Sequence, residues 1–328
     1  MKKTFLRAST LIAGLLLAGS AWAQAFPAKP VTLMVPYPAG GLSDVIARTI
    51  NTSLAKQLGQ PVIVENLGGA SGGIAAQKVL NAPADGHMIF QGSPNELILA
   101  PLANAAIKYK SEDFRLVQMI SINPMAMFAR KDLPAANGDE LVAYAKKTAA
   151  AGKPLTYASV GPGSMYHLLG EHMSKLTGVT MTHVPYKGAA PAQQDLMAGE
   201  VDVFMTPYGK GPVQLAEEGK LKVVAALSVE RQDLIKKAPT LNESAALKGF
   251  VFDTWSGYFV HKDTPEAVVQ ALHKALSEVA NDPAIRASLE AHAMTVPRPQ
   301  SLAAMTKVYG DNTGRYRGIA KAINLQPQ

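Results

Sequence analysis

Val31-Thr-Leu-Met-Val-Pro-Tyr-Pro-Ala-Gly-Gly-Leu-Ser-Asp44 reads as a buried strand, a tight turn and the start of a helix. Val31, Leu33, Met34 and Val35 form an apolar run of strand length. Pro36 and Pro38 end it, because neither can donate to a sheet ladder. Gly40 and Gly41 admit backbone angles closed to other residues. Ser43 or Asp44 can cap the helix that follows, whose apolar face repeats at Ile46, Ile50, Leu54 and Leu58. Unpaired N–H groups at a helix start, beside glycines that allow close approach, make a site for an anion.

Two further stretches repeat this arrangement. Val62-Ile-Val64 leads through Glu65-Asn-Leu-Gly-Gly-Ala-Ser-Gly-Gly73 into a helical run from Ile74 to Leu80. Leu155-Thr-Tyr-Ala158 leads through Ser159-Val-Gly-Pro-Gly-Ser164 into Met165 to Leu176. Strand-to-helix loops often need glycine for shape alone. Three such loops together point to helix N-termini converging on one small anionic ligand, each contributing roughly 0.3–2 kcal/mol according to burial.

The chain opens with an export leader. Lys2, Lys3 and Arg7 precede an apolar run from Ala8 to Ala18 that is too short to span a bilayer. Ala21-Trp-Ala23 fits the small-x-small cleavage pattern, so the mature chain is expected to start at Gln24, in the periplasm. An uncleaved anchor is the rival reading. Removing residues 1–23 leaves 305 of the 328, enough for two domains. Removing Lys2, Lys3 and Arg7 from the net charge of +7 leaves +4. With no basic run and no basic–aromatic interleaving, that excess gives no support for nucleic acid as a partner. Cysteine is absent, which excludes thiol catalysis, disulfides and Cys-ligated zinc.

Strand and helix patterns alternate almost throughout, which predicts an α/β class with parallel sheets. Phe114 to Ile122 reads as one strand, broken by Asn123-Pro124, with Met125 to Ala129 as another. Further strands are expected at Met88–Phe90, Val179–Val184, Val201–Met205, Leu221–Leu227 and Phe250–His261. Helices are expected at 138–150, 165–176, 190–198, 265–280, 283–291 and 301–323. Crossings near Asn123–Pro124 and Gly249–Asp253 define a discontinuous first lobe, residues 24–124 plus 251–328, and a second lobe, residues 125–250. The ligand belongs in the cleft between them.

Gly69-Ala-Ser-Gly-Gly73 matches G-x-S-x-G between a strand and a helix, as a nucleophile elbow would, so an exported serine hydrolase using Ser71 is an alternative. Candidate histidines stand at 167, 172, 183, 261, 273 and 292, none in a distinguishing context. His167 and His172 are five apart and share no helix face as a metal pair would. No metal motif, P-loop or G-x-G-x-x-G after a strand occurs, so neither metal nor nucleotide cofactor is expected. Lys187 can neutralise a carboxylate or stand solvated in its loop, and Asp202, inside a strand, can pair with it or with a hinge group, or simply sit at a sheet edge. Trp255 and Tyr258 can line an aromatic wall or pack in the core.

Taken together these segments resemble the Bug-type extracytoplasmic solute receptors, the substrate-binding components of tripartite tricarboxylate transporters. Tyr37-Pro-Ala-Gly-Gly-Leu-Ser-Asp-Val-Ile-Ala-Arg48 fits the family's first loop, and Glu65-Asn66 with Gly69-Ala70 and Gly72 its second. Pro83-Ala-Asp-Gly86 and Gly92-Ser93 fit its third strand. Tyr157-Ala-Ser-Val-Gly-Pro-Gly-Ser164 with His167-Leu168 and Gly170-Glu171 fits the second-lobe loop. His183-Val-Pro-Tyr-Lys-Gly188, Asp195-Leu196 and Gly199-Glu-Val-Asp202 follow in the family's order. The match runs from about Phe26 to Leu325. Leu67-Gly68, Ser71, Thr206-Pro-Tyr208 and Pro94 to Ile107 depart from the family pattern, so Ser71 and Tyr208 offer this chain a hydroxyl and an aromatic surface of its own.

The resemblance implies a type II periplasmic binding protein fold, two lobes joined by two crossing strands, and binding without catalysis or cofactor. It implies a small carboxylate ligand, an inner-membrane permease as partner and a monomeric receptor. A signalling receptor of the same fold is a further alternative. The ligand is expected to meet Tyr37, Ala39, Gly40, Gly41, Ser43 and Asp44 from the first loop, Gly69, Ser71 and Gly72 from the second, and Ser93. Ser159, Gly161, Gly163, Ser164 and Lys187 are expected to close from the other lobe.

Overall fold

Val31–Val35 forms strand β1 in the computed structural model, which describes residues 26–292, 294–322 and 325–327. The leader read at residues 1–23 lies outside the described residues. β1 lies between two parallel neighbours, β2 (Val62–Asn66) and β3 (Met88–Gly92). A strand covered on both faces needs a nearly unbroken apolar run, which Leu33-Met-Val35 supplies. Helix α1 (Leu42–Leu58) buries Ile46, Ala47, Ile50 and Leu54 and stops at Gly59 in the left-handed conformation, φ 68°. Those side chains share one apolar cluster with Val31, Leu33 and Val35 and with α8 (Glu266–Asn281) and α9 (Pro283–Glu290).

Residues Phe114–Arg130 form a single 17-residue strand, β4, where the sequence predicts two pieces broken at Asn123-Pro124. The proline does not break it because the partner changes there. Up to Pro124, β4 pairs antiparallel with β9 (Asp253–His261); from Met125 it pairs with β7 (Val203–Pro207), and from Ala126 with β8 (Leu221–Ala226) on its other side. A residue without an N–H costs least at such a handover. Its carbonyl still accepts from the Tyr208 N–H at 3.3 Å. The order across the sheet is β2-β1-β3-β9-β4-β7-β5-β6, with β8 on β4 and with β5 at Thr156–Ser159 and β6 at Thr182–Pro185.

The parallel pairs are β1–β2, β1–β3, β5–β6 and β5–β7, whereas every pairing of β4 and β9 is antiparallel. The expected parallel sheets are thus refined to a mixed sheet, with parallel pairs among β1, β2, β3 and among β5, β6, β7, and antiparallel pairs where two long strands cross the middle. The remaining helices are α2 (Gly73–Asn81), α3 (Ala100–Ala103) after a π turn at Asn95–Leu99, α4 (Gly138–Ala150), α5 (Met165–Thr177), α6 (Ala189–Ala198), α7 (Lys210–Glu217) and α10 (Leu302–Ala322). Helix α7 escapes sequence reading because it buries one apolar side chain, Val213, and carries a glycine and a proline in its first turn.

The readings left open at Asp202, Trp255 and Tyr258 are decided as well. Asp202 pairs with Arg130, Oδ1 to Nε 2.7 Å, and accepts from the Thr156 N–H at 2.8 Å, instead of reaching Lys187. Trp255 and Tyr258 pack in the core, donating to Asn312 Oδ1 at 3.1 Å and Gln91 Oε1 at 3.3 Å.

Candidate functional site

A cavity of about 410 Å³ opens where the first loop, the crossing strands and helices α6 and α7 meet. The first loop, between β1 and α1, is held from several sides. Asn66 Nδ2 donates to the Tyr37 carbonyl at 3.0 Å, and Gln91 Nε2 to the Ser43 carbonyl at 2.7 Å. Gly40, at φ 87°, donates its N–H to Asp44 Oδ2 at 3.0 Å. Burial alone would raise the Asp44 carboxyl, but the Arg48 guanidinium, 3.0 Å away, and the Gly40 N–H outweigh it and hold it below the usual range.

Three helix starts reach the cavity, and none is capped by a side chain. They are α1 behind Gly41, α6 behind Gly188 and α7 behind Gly209. Gly41, Leu42, Ser43, Ala189, Ala190, Gly209 and Gly211 line the space. The first-turn N–H groups of an uncapped helix have no intrahelical acceptor and carry the positive end of its dipole.

Three residues of the same wall carry buried side-chain oxygens. Tyr37 Oη, Asn123 Oδ1 and Thr254 Oγ1 are buried without a well-aligned hydrogen-bond partner, and all three residues line the cavity. Asn123 and Thr254 are register partners on β4 and β9, 2% and 4% exposed. Each unmade bond of a buried polar group costs roughly 1–3 kcal/mol, so such a wall is suited to a polar guest. None of the lining residues is Lys, Arg, Asp or Glu. Leu42, Val45, Ile46, Met197, Pro207 and Pro212 complete an apolar surround.

The second and third loops meet each other, and of the two only the third reaches the cavity, through Val160. Ser71 Oγ donates to the Pro162 carbonyl at 2.8 Å. Gly161 is required at this contact: its φ is 128°, and a Cβ there would stand 2.5 Å from Ser71 Oγ. Ser164 caps α5 through the His167 N–H and donates to the Gly161 carbonyl at 2.7 Å. Ser159 Oγ accepts from the Gly161 N–H at 3.0 Å and lies 2.6 Å from His183 Nε2. The Gly163 N–H donates to His167 Nδ1 at 2.9 Å, and the His167 and His183 rings stack with centroids 4.1 Å apart. Burial and the neighbouring His167 push His183 down to about 4; burial lowers His167 too.

Of the residues expected from sequence, Tyr37, Gly40, Gly41, Ser43 and Ser93 line the cavity. Ala39 and Asp44 belong to the same loop without lining it, and Gly69, Ser71, Gly72, Ser159, Gly161, Gly163 and Ser164 lie in the contact between the second and third loops or beside it. Lys187 is exposed and does not line the cavity.

A family model described as the tripartite tricarboxylate transporter family receptor, TctC, matches residues 46–325. The chain belongs to this family. Similar solved structures agree. Periplasmic binding protein BugD is 31% identical, with a TM-score of 0.84, covering 92% of this chain and 100% of its own. MatC from Rhodopseudomonas palustris with bound malate is 30% identical, TM-score 0.82, covering 90% and 99%. The R. palustris protein Rpa4515 with adipate is 29% identical, TM-score 0.83, covering 92% and 100%. The fold is therefore that of the periplasmic binding proteins, as the resemblance implied.

TctC receptors bind solutes and are not enzymes, and the G-x-S-x-G match has a structural explanation in this one. The Ser71 hydroxyl is committed to a backbone carbonyl across the loop contact. Sequence reading of this TctC chain missed Asn123, Thr254, Gln193, Gln194, Tyr166 and His292, all of which line the cavity, as does Thr206 from the departing Thr206-Pro-Tyr208 stretch. One signal was available for Asn123, an amide directly before the proline of β4. A second cavity of about 630 Å³, between α7 and β8, includes Lys131, Lys222, Lys236 and Lys237 in its walls but none of the expected site residues.

Proposed function

We propose that this receptor captures a small carboxylate in the cavity beneath its first loop and passes it to the inner-membrane permease of a tripartite tricarboxylate transporter. The observation that carries the reading is the convergence of three uncapped helix starts on a cavity whose described lining holds no Lys or Arg and includes Asn123 and Thr254, each with a buried side-chain oxygen lacking a partner. An anion held by N–H groups and hydroxyls spares the desolvation of a second buried charge. The malate and adipate in the similar structures support the carboxylate class.

Tyr37, Gly40, Gly41, Ser43 and Ser93 are assigned to the ligand rim, with Asn123 and Thr254 beneath. Ala39 and Asp44 shape the first loop. Gly69, Ser71, Gly72, Ser159, Gly161, Gly163, Ser164 and Lys187 form the contact that closes one lobe on the other. The lobes are residues 24–124 plus 251–328 and residues 125–250, hinged on β4 and β9. The change of strand partner at Pro124 and Met125 supports that division. The exported receptor, cleaved after Ala23, works as a monomer.

A thermal-shift panel of mono-, di- and tricarboxylates tests the reading. A bound carboxylate at one hundred times its Kd stabilises the fold by about 2.7 kcal/mol. A panel in which no carboxylate raises the Tm overturns it.

A further inference from the structure

Behind Ser93 and Tyr37, outside the cavity wall, lies Glu96. It sits in the π turn Asn95–Leu99 and is 1% exposed. Its Oε2 accepts from the Ser93 N–H at 2.6 Å and from the Ser93 hydroxyl at 2.8 Å. Its Oε1 has no well-aligned partner. Gly72 makes room for it: a Cβ there would stand 2.3 Å from Glu96 Cγ.

The groups packed around this carboxyl carry no compensating charge. Tyr37 approaches from the first loop, Tyr166 from α5 and Tyr309 from α10, and the Tyr109 hydroxyl donates to the Glu96 backbone carbonyl at 2.6 Å. On α10, Arg317, which acts on Tyr309, is engaged with Glu112 at 2.7 Å. Helix α2 offers only Lys78, which is paired with Glu65. Neither carboxyl oxygen of Glu96 has a cationic partner among the described residues. Burial raises the Glu96 carboxyl to about 7.

The protonation state of Glu96 sets what the rim can offer a ligand. While Glu96 is ionised, it takes both donors of Ser93, which lines the cavity. Ser93 then shows an incoming carboxylate only lone pairs, and a second anion arrives beside a buried one, where repulsion is poorly screened. The Tyr37 hydroxyl is close enough to Glu96 for the carboxylate to act on it. A proton taken from solution onto Oε1 removes the charge and makes that oxygen a donor toward Tyr37 Oη. The Tyr37 O–H is then free to turn into the cavity.

We propose that Glu96 is a positioning residue that couples carboxylate binding at the Tyr37–Ser93 rim to the uptake of one proton. It rests on the carboxylate reading of the cavity. The sign follows from linkage: above the midpoint of Glu96, apparent affinity falls about tenfold per pH unit, and below it affinity levels off.

Two measurements on the full mature chain test this, with malate and adipate as probes alongside the carboxylate panel. In the ligand-free protein, carboxyl-carbon NMR of wild type against Glu96→Gln is expected to reveal one acid titrating near neutrality; a Glu96 midpoint in the ordinary carboxylate range overturns the proposal. Calorimetry at pH 8 in buffers of different ionisation enthalpy is expected to show the wild type taking up close to one proton per ligand. Glu96→Gln, a fixed stand-in for the protonated acid, is expected to take up none and to bind at pH 8 as the wild type does near pH 5.5. Carboxylate binding without proton uptake overturns this inference and leaves the carboxylate reading intact. Absence of any carboxylate binding from pH 5.5 to 8 overturns both.

Discussion

The loop after β1 and the loop after β5 are built from the same sequence grammar, a strand, a glycine-rich turn and a helix, yet they end in opposite states. The later loop satisfies itself. Ser164 caps its helix, Ser159 and His167 hold the N–H groups of Gly161 and Gly163, and Ser71 reaches across to its Pro162 carbonyl. The earlier loop has one internal acceptor, Asp44, which serves Gly40 and is itself neutralised by Arg48. Its helix start behind Gly41 stays open, and it lines the cavity. What separates a loop with open N–H groups from a self-satisfied one is therefore the side chains available to consume those groups, since both carry glycine.

The strongest way to break this comparison is to give the first loop the cap it lacks. Gly41 has φ −82° and ψ 171°, angles any residue adopts, and a Cβ there would meet nothing nearer than the Pro38 carbonyl at 3.8 Å. Gly41→Asp places a carboxylate at the N-cap, where it accepts from the first-turn N–H groups and repels an anionic guest. Carboxylate affinity is expected to fall at least a hundredfold, roughly 3 kcal/mol, while the Tm holds or rises with the new cap. Calorimetry and thermal melts read the two effects separately. Unchanged affinity would mean that the α1 start does not receive the ligand.

How much of this was readable in the chain depended on range. β1, β2 and α1 follow from local apolar periodicity, and Tyr37, Gly40, Gly41 and Ser43 were found because one continuous stretch spells them out. Pro124 misled because its tolerance comes from a change of partner 129 positions away at Asp253, which no local window contains. Asn123 and Thr254 meet only through that same long-range register. The starts of α6 and α7 were illegible as ligand groups because an uncapped helix differs from a capped one by an absent contact. The second and third loops looked like ligand loops for the converse reason: their partners, Pro162 for Ser71 and His183 for Ser159, come from elsewhere in the sequence.

Acid sharpens the contrast, because the loop after β5 and the Glu96 carboxyl behind the first loop respond to it with opposite sign. His183 and His167 are neutral in the fold, with His183 held at about 4 against an ordinary value of 6.5. A depressed histidine contributes stability that is present above pH 6.5 and is lost as pH falls toward 4. Gly163 also needs an unprotonated His167 Nδ1 as its acceptor. Glu96 works the other way: its contribution is full below its ordinary value of 4.5 and is lost as pH rises through about 7. Acidification from pH 7 to 4.5 is therefore expected to loosen the loop after β5, by roughly 1–2 kcal/mol once screening of the half-exposed ring is discounted. Amide hydrogen exchange at residues 160–164 reads this locally. Exchange that slows on acidification, after correction for the intrinsic rate, would contradict the histidine account.

The smallest effect isolates the cap itself. Ser164→Ala removes the oxygen that accepts from the His167 N–H and the hydroxyl that donates to the Gly161 carbonyl. Losing a serine cap costs about 1 kcal/mol, and the fold is expected to lose that much in denaturant melts. Ser164 does not line the cavity, so carboxylate affinity is expected to change no more than a few-fold. The variant is thus the mirror of Gly41→Asp, one costing stability and sparing binding, the other the reverse. A Ser164→Ala protein that kept its stability but lost its ligand would place the anion at the start of α5, and the division between a self-satisfied loop and an open one would have to be redrawn.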